Sequence, residues 1–509
     1  MRRLFITASV GLVILSGCTT VQTATPTPKI AAVERAFNAA KSSEPELINF
    51  LERMPKGADL HNHLEGTIFS EYVLRAAENQ GLNYDLDTNQ FTEADVSERI
   101  ISTTALKYSM PAFRAFREAY SVRRWRDSGG SGRDAFFAPF DRYPFVRYAP
   151  EVMLRDLIKR SVYQNIQHQE TASPVVPPQV TARFMAALAD VDVADLDAAF
   201  AAVEPLTRDP QIAAQITARI DGWEAYAGEQ TKALKGASDL SIVYGAYVVR
   251  IGPLKSVFAN AAANFTAIQA DPRVVSFGFV APEDHPDSND NFDKHMQMID
   301  YLWQRLGKPK VNLHAGELTP DDVAPESLRD RIRKSIDIGH SNRIGHGVSI
   351  AWEADSQGLL EQMARDGILV EICLSSNEII LDVVGNEHPF TLYRKAGVPV
   401  SLNTDDEGIG RNSLTYEFTR AILTYNLSYS DIIELARNSL EYSFLAGESL
   451  FVERDYQQVR PGFEGSQNVG WIPTAEQSAL IASNPKLSVQ LRFERSLAAF
   501  AASFETDLP

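Results

Sequence analysis

The histidines carry most of the chemical information in this chain. His61 and His63 stand two apart in Asp59-Leu60-His61-Asn62-His63. On an extended strand, residues i and i+2 project to one face, so both imidazoles can reach a single metal ion. The same pair is also compatible with two hydrogen-bonded core histidines. His314 closes Val311-Asn312-Leu313-His314 and is followed by Ala315-Gly316-Glu317, while His346 sits in Arg343-Ile344-Gly345-His346-Gly347. Asp405 and Asp406 end Val400-Ser401-Leu402-Asn403-Thr404-Asp405-Asp406. Three imidazoles and one carboxylate are a donor set suited to Zn2+, with iron or cobalt as alternatives.

Each of these polar clusters falls at the C-terminal end of a segment that reads as a strand. Strands are expected at residues 58–64, 241–251, 274–281, 310–314, 343–346, 368–374 and 398–403, with a weaker one at 164–170. Amphipathic helices separate them. Eight strands alternating with helices predict a (β/α)8 TIM barrel, in which the C-terminal strand ends converge on one face and bring the clusters together. Residues 30–53 predict an N-terminal helical extension, 54–460 the barrel, and 461–509 a C-terminal helical tail. Two stretches, about 83–148 and 173–239, exceed ordinary connection lengths. Insertions after barrel strands more often form lids or substrate walls than independent domains; the second is read as either a lid or a dimer contact.

The 509 residues carry a formal net charge of −17, and a surface this acidic argues against a nucleic-acid partner. With only two cysteines, Cys18 and Cys373, no disulfide framework supports the fold. Arg2 and Arg3 precede a short apolar run that ends at Leu15-Ser16-Gly17-Cys18. This pattern reads as a secretory signal at 1–17 resembling a bacterial lipobox, with Cys18 as the lipidated first residue of the mature chain. Residues 18–29 would be a Thr/Pro-rich tether. The expected location is outside the cytoplasm, lipid-anchored to the bacterial cell envelope, with Thr19 pointing to the outer membrane. The anchor is the sole expected membrane contact.

The motif series Met54-Pro55-Lys56-Gly57-Ala58-Asp59-Leu60-His61-Asn62-His63-Leu64-Glu65-Gly66, His314-Ala315-Gly316-Glu317, Arg343 to Gly347 and Ser401 to Asp406 resembles that of the adenosine deaminase family, in the same order. Met54 to Gly57, the helical extension and Leu414-Thr415-Tyr416-Glu417-Phe418 resemble the secreted adenosine deaminase-related growth factor branch. The resemblance implies one Zn2+ per chain, held by His61, His63, His314 and Asp405. It further implies Glu317 as the proton shuttle at purine N1, His346 as the residue that orients and deprotonates the attacking water, and Asp406 as the partner of N7. The reaction implied is hydrolytic deamination of adenosine or 2′-deoxyadenosine for purine salvage outside the cytoplasm.

Three positions depart from the family pattern. Glu65 stands where adenosine deaminases have Asp against the ribose, and adenine deaminases also carry Glu there. Ala281 stands where the family has Gly against N3, and the second strand, Gln167-His168-Gln169-Glu170-Thr171, is unusually polar, with His168 read as a wall residue. Two rival readings follow: a deaminase of adenine or another aminopurine, and a non-catalytic nucleoside-binding lipoprotein. The intact Glu317 disfavours the second.

Overall fold

The computed structural model describes residues 28–142 and 149–504. The expected signal segment, Cys18 and most of the tether lie outside the described residues. The first helix, Pro28–Ala40, begins within the expected tether, with proline in the first turn, where its missing N–H costs nothing.

Eight parallel strands form the central sheet: β1 Ala58–His63, β2 His168–Ser173, β3 Ser241–Val249, β4 Val274–Val280, β5 Lys310–Ala315, β6 Ser341–His346, β7 Leu369–Ile372 and β8 Val400–Leu402. They pair in chain order from β1 to β8. A parallel bridge between Asn62 and Asp405 brings the β8 end back to β1, closing the sheet into an α/β TIM-type barrel. Strands covered on both faces should be continuously apolar. β7 obeys this, all four of its residues being buried, and its one charged member, Glu371, must therefore find partners inside the barrel.

Two local differences from the sequence expectation have clear causes. The second strand starts at His168 rather than 164, because the helix Pro150–Tyr163 runs up to Gln164 and Asn165 turns the chain at φ +55°. Within the first insertion lies an unexpected antiparallel sheet of Gln90–Thr92, Asn83–Asp85 and Ile100–Ser102. Strands of three residues are too short to leave a periodic signal.

The Met54 to Gly57 segment joins the extension to the barrel. Lys56 is fully buried and donates its Nζ to the carbonyls of Leu51, Met54 and Gln164, tying the preceding helix end to the turn before β2. Gly57 has φ +75°, and a Cβ there would lie 2.3 Å from the Ala436 carbonyl oxygen. No other residue type fits that approach.

The helices Pro28–Ala40 and Glu44–Arg53 pack against the C-terminal helix Pro485–Ala502 in one apolar cluster with barrel residues. Phe50 lies 5.1 Å from Phe500 and 5.6 Å from Phe37, ring to ring. Extension and tail thus complete the barrel's core. Phe50→Ala should lower unfolding stability by about 3–5 kcal/mol, the range for deleting a buried aromatic ring. Urea denaturation would measure it, and a loss well under 1 kcal/mol would show that the extension is not part of this core.

Candidate active site

The ends of β1, β5, β6 and β8 bring the sequence clusters together. Ligand atoms of His61, His314, His346 and Asp405 lie within 4.8 Å of one another, and those of His63, Asp405 and Asp406 form a second such group. Asp405 belongs to both. The imidazole of His61 is 4.5 Å from that of His314, 4.7 Å from that of His346 and 5.3 Å from that of His63, centroid to centroid. His63 turns its Nδ1 toward Asp405 Oδ1 at 3.0 Å and Asp406 Oδ1 at 3.2 Å.

These side chains suit a cation chemically. Among the described residues, His61 Nε2 is buried without a hydrogen-bond partner, facing the cluster. A buried orphan nitrogen costs stability unless a ligand satisfies it. Burial and then the neighbouring imidazole of His61 push His314 well below the ordinary histidine range, keeping it neutral as metal ligation requires. Burial opposes ionisation of Asp405, but the adjacent His63 outweighs it and holds this carboxyl below its ordinary range.

A chain of charges behind the cluster orients His61. Its Nδ1 lies 2.7 Å from Glu371 Oε2. Glu371 Oε1 accepts from Arg343 Nε at 2.6 Å and from Asn312 Nδ2 at 3.0 Å. Arg343 Nη2 donates onward to Glu170 Oε2 at 2.7 Å. With a carboxylate acceptor on Nδ1, His61 carries its proton there and presents the Nε2 lone pair to the cluster. Sequence reading assigned no role to Glu371, Arg343 or Glu170. For Glu371 the available signal was a charged residue inside an apolar strand.

Space is set by glycines from the same motifs. A Cβ on Gly345 would lie 2.7 Å from His61 Cε1, and one on Gly66 would lie 1.5 Å from Asp406 Oδ1.

Glu317 follows β5, its backbone N–H donating to Glu283 Oε2 at 2.9 Å. Its Oε1 is buried, 3.5 Å from His346 Nε2, and burial followed by the charges of Asp405 and Glu283 raises its pKa well above the carboxylate range. Asp406 is raised to about 6 by burial, with His63 opposing. Ser376 Oγ donates to Asp405 Oδ2 at 2.6 Å. Cys373 is a buried free thiol. His168 is away from this cluster, bonding Ser241 and facing Glu170, a wall position as its sequence suggests.

The cluster opens on a cavity of about 460 Å³ lined also by Glu65, Tyr247 and Ala281. Glu65 accepts a hydrogen bond from the Tyr247 hydroxyl. Ala281 adopts φ +86°, a conformation that favours glycine, and its carbonyl accepts from Arg250 Nε at 2.9 Å. Both insertions reach the cavity: Phe136, Phe137 and Phe140 from the helix Gly132–Arg142, and Arg219 from the helix Pro210–Thr231.

The fold and these side chains define a TIM-type barrel with a candidate metal centre at its C-terminal mouth. Residues 235–450 match the adenosine deaminase family model. An adenosine deaminase of Clostridium perfringens is 28% identical over 188 residues, 36% of this chain and 52% of that protein. An adenine deaminase of Sinorhizobium fredii is 29% identical over 219 residues, 43% of this chain and 60% of its own length. The chain therefore spans less than two thirds of the length of these relatives. Among solved structures, an Arabidopsis N6-mAMP deaminase aligns at TM-score 0.49 and 16% identity, covering 78% of this chain and 96% of that one.

Glu371→Gln should weaken metal affinity by about 10–100-fold, the usual cost of losing a carboxylate behind a histidine ligand. Chelator competition on the folded variant measures this, and unchanged affinity would remove Glu371 from that role.

Proposed function

We propose that this protein is a zinc-dependent aminopurine deaminase acting on adenosine and 2′-deoxyadenosine. The observation that carries the reading is the buried, high-pKa Glu317 beside the His/Asp cluster, both facing one cavity. A protein that merely binds nucleosides has no use for a carboxyl kept protonated next to a metal site.

His61, His63, His314 and Asp405 would hold zinc, which supplies Lewis-acid activation of water, bringing its pKa toward about 7. The net reaction adds water at C6 and breaks the C6–N6 bond; one water proton ends at N1 and the other leaves with ammonia. Glu317 serves the first transfer, since a carboxyl held neutral by burial can donate to N1 as charge builds there. Asp406 suits N7 for a related reason. N7 only accepts hydrogen bonds, and burial raises the Asp406 carboxyl above its ordinary range, which makes its protonated, donating form easier to reach when the purine covers it. The Ala281 N–H would face N3, its backbone taking the glycine-like conformation despite the methyl group.

A second reading, adenine as substrate, is favoured by one contact. The Tyr247 hydroxyl already engages a Glu65 carboxylate oxygen, and this is the group otherwise expected to receive a ribose hydroxyl. The lipobox-like Leu15 to Cys18 supports placing the enzyme outside the cytoplasm on a lipid anchor.

An ultraviolet assay with adenosine, 2′-deoxyadenosine, adenine and AMP side by side tests the substrate. Preference for the nucleosides is expected, whereas turnover of adenine alone would replace them with the free base. Glu317→Gln should reduce kcat by about 10²–10⁴-fold, the usual worth of general acid–base catalysis, with metal content unchanged. A near-normal rate would remove Glu317 from proton transfer.

A further inference from the structure

His346 is one of four side chains whose ligand atoms crowd together, and geometry by proximity does not say whether it binds metal. Its hydrogen bonds do. The backbone N–H of Phe390 donates to His388 Nδ1 at 3.1 Å. A backbone N–H can only donate, so His388 Nδ1 offers its lone pair and the ring proton resides on Nε2. His388 Nε2 then donates to Asn377 Oδ1, 3.1 Å away. The amide of Asn377 is thereby oriented with its NH2 group toward His346 Nδ1, at 3.0 Å. An amide NH2 also only donates. His346 Nδ1 is therefore the acceptor, and the proton of this neutral ring lies on Nε2. All three side chains are buried.

We propose that His388 and Asn377 are positioning residues that hold His346 in its Nε2–H form, making it a hydrogen-bond donor to the attacking oxygen and excluding it as a metal ligand through that nitrogen. The inference rests on the deaminase reading for the identity of that oxygen. The same logic gives His61 the opposite tautomer, because its Nδ1 faces the Glu371 carboxylate. Of the two histidines, His61 presents a lone pair and His346 a proton, which leaves His63 as the third imidazole ligand beside His61 and His314. The proton-accepting role that the family resemblance implies for His346 is thereby replaced. A neutral ring already protonated at Nε2 cannot take the proton of water there. Glu317 Oε1, 3.5 Å from that nitrogen, is the group able to receive it after protonating N1.

The test is the ¹⁵N spectrum of histidine-labelled, zinc-loaded full chain, with the His346 signals identified by their loss in His346→Gln. Nε2–H with an unprotonated Nδ1 is expected, and Nδ1–H overturns the proposal. Asn377→Asp replaces the amide donor with an acceptor and should move the proton to Nδ1. It should also lower kcat by about 10²–10³-fold, the usual cost of losing one donor to a developing oxyanion, with KM little changed. A folded Asn377→Asp with wild-type kcat overturns the proposal; if it does not fold, the wild-type spectrum decides. Zinc-loaded wild type that turns over no aminopurine would instead defeat the deaminase reading and leave the tautomer assignment standing on its spectrum.

Discussion

A histidine's free nitrogen is useful only when its other nitrogen is committed, and the mouth of this barrel is organised around that requirement. Glu371 commits Nδ1 of His61, and Asn377 commits Nδ1 of His346. Glu371 could not remain a buried carboxylate without Arg343, and Arg343 in turn is flanked by Glu170. Breaking one partner from such a buried set costs about 3–5 kcal/mol, because a charge is left without compensation. The chain links β2, β6 and β7 to the histidine on β1, so the stability of the barrel and the aim of His61 depend on the same contacts.

The Arg343 to Gly347 motif shows how densely these functions are packed. Arg343 anchors Glu371, Gly345 leaves room for the His61 ring, and His346 faces the cavity. Three residues of the site also hold left-handed backbone: Ala281 at φ +86°, His346 at +65° and Asp405 at +57°. Each such position costs on the order of 1–3 kcal/mol and persists only where its surroundings enforce it. Arg250 contributes that enforcement, bonding the carbonyls of both Ala281 and His314 and so bracing the ends of β4 and β5 together.

The insertions change the character of the cavity. The strand ends present carboxylates and imidazoles beside Tyr247, Val249 and Val280, and the insertions add the further aromatic rings of Phe136, Phe137 and Phe140 and the cation of Arg219. Arg219 stacks over Trp223 and bonds the Pro174 carbonyl, fixing its insertion helix to the segment after β2. The lining of the cavity is therefore shared between the strand ends and elements far from them in sequence.

The order of strands, the clustering of His61, His63, His314, His346, Asp405 and Asp406 at one face, and the position of Glu317 followed from sequence. They are legible because each residue sits at or just past the C-terminal end of a strand, and parallel pairing in chain order carries those ends to a common face. The start of β2 was not legible, since Gln167-His168-Gln169 is polar for reasons of hydrogen bonding rather than burial period. The roles of Glu371, Arg343, Asn377 and His388 were equally hidden. Their partners lie up to 310 residues away, and no local pattern encodes such a contact. The sequence by itself determined which residue types meet at the mouth of the barrel. Tertiary structure alone decided which nitrogen of His61 and of His346 carries the proton, because that depends on the donor or acceptor packed behind the ring.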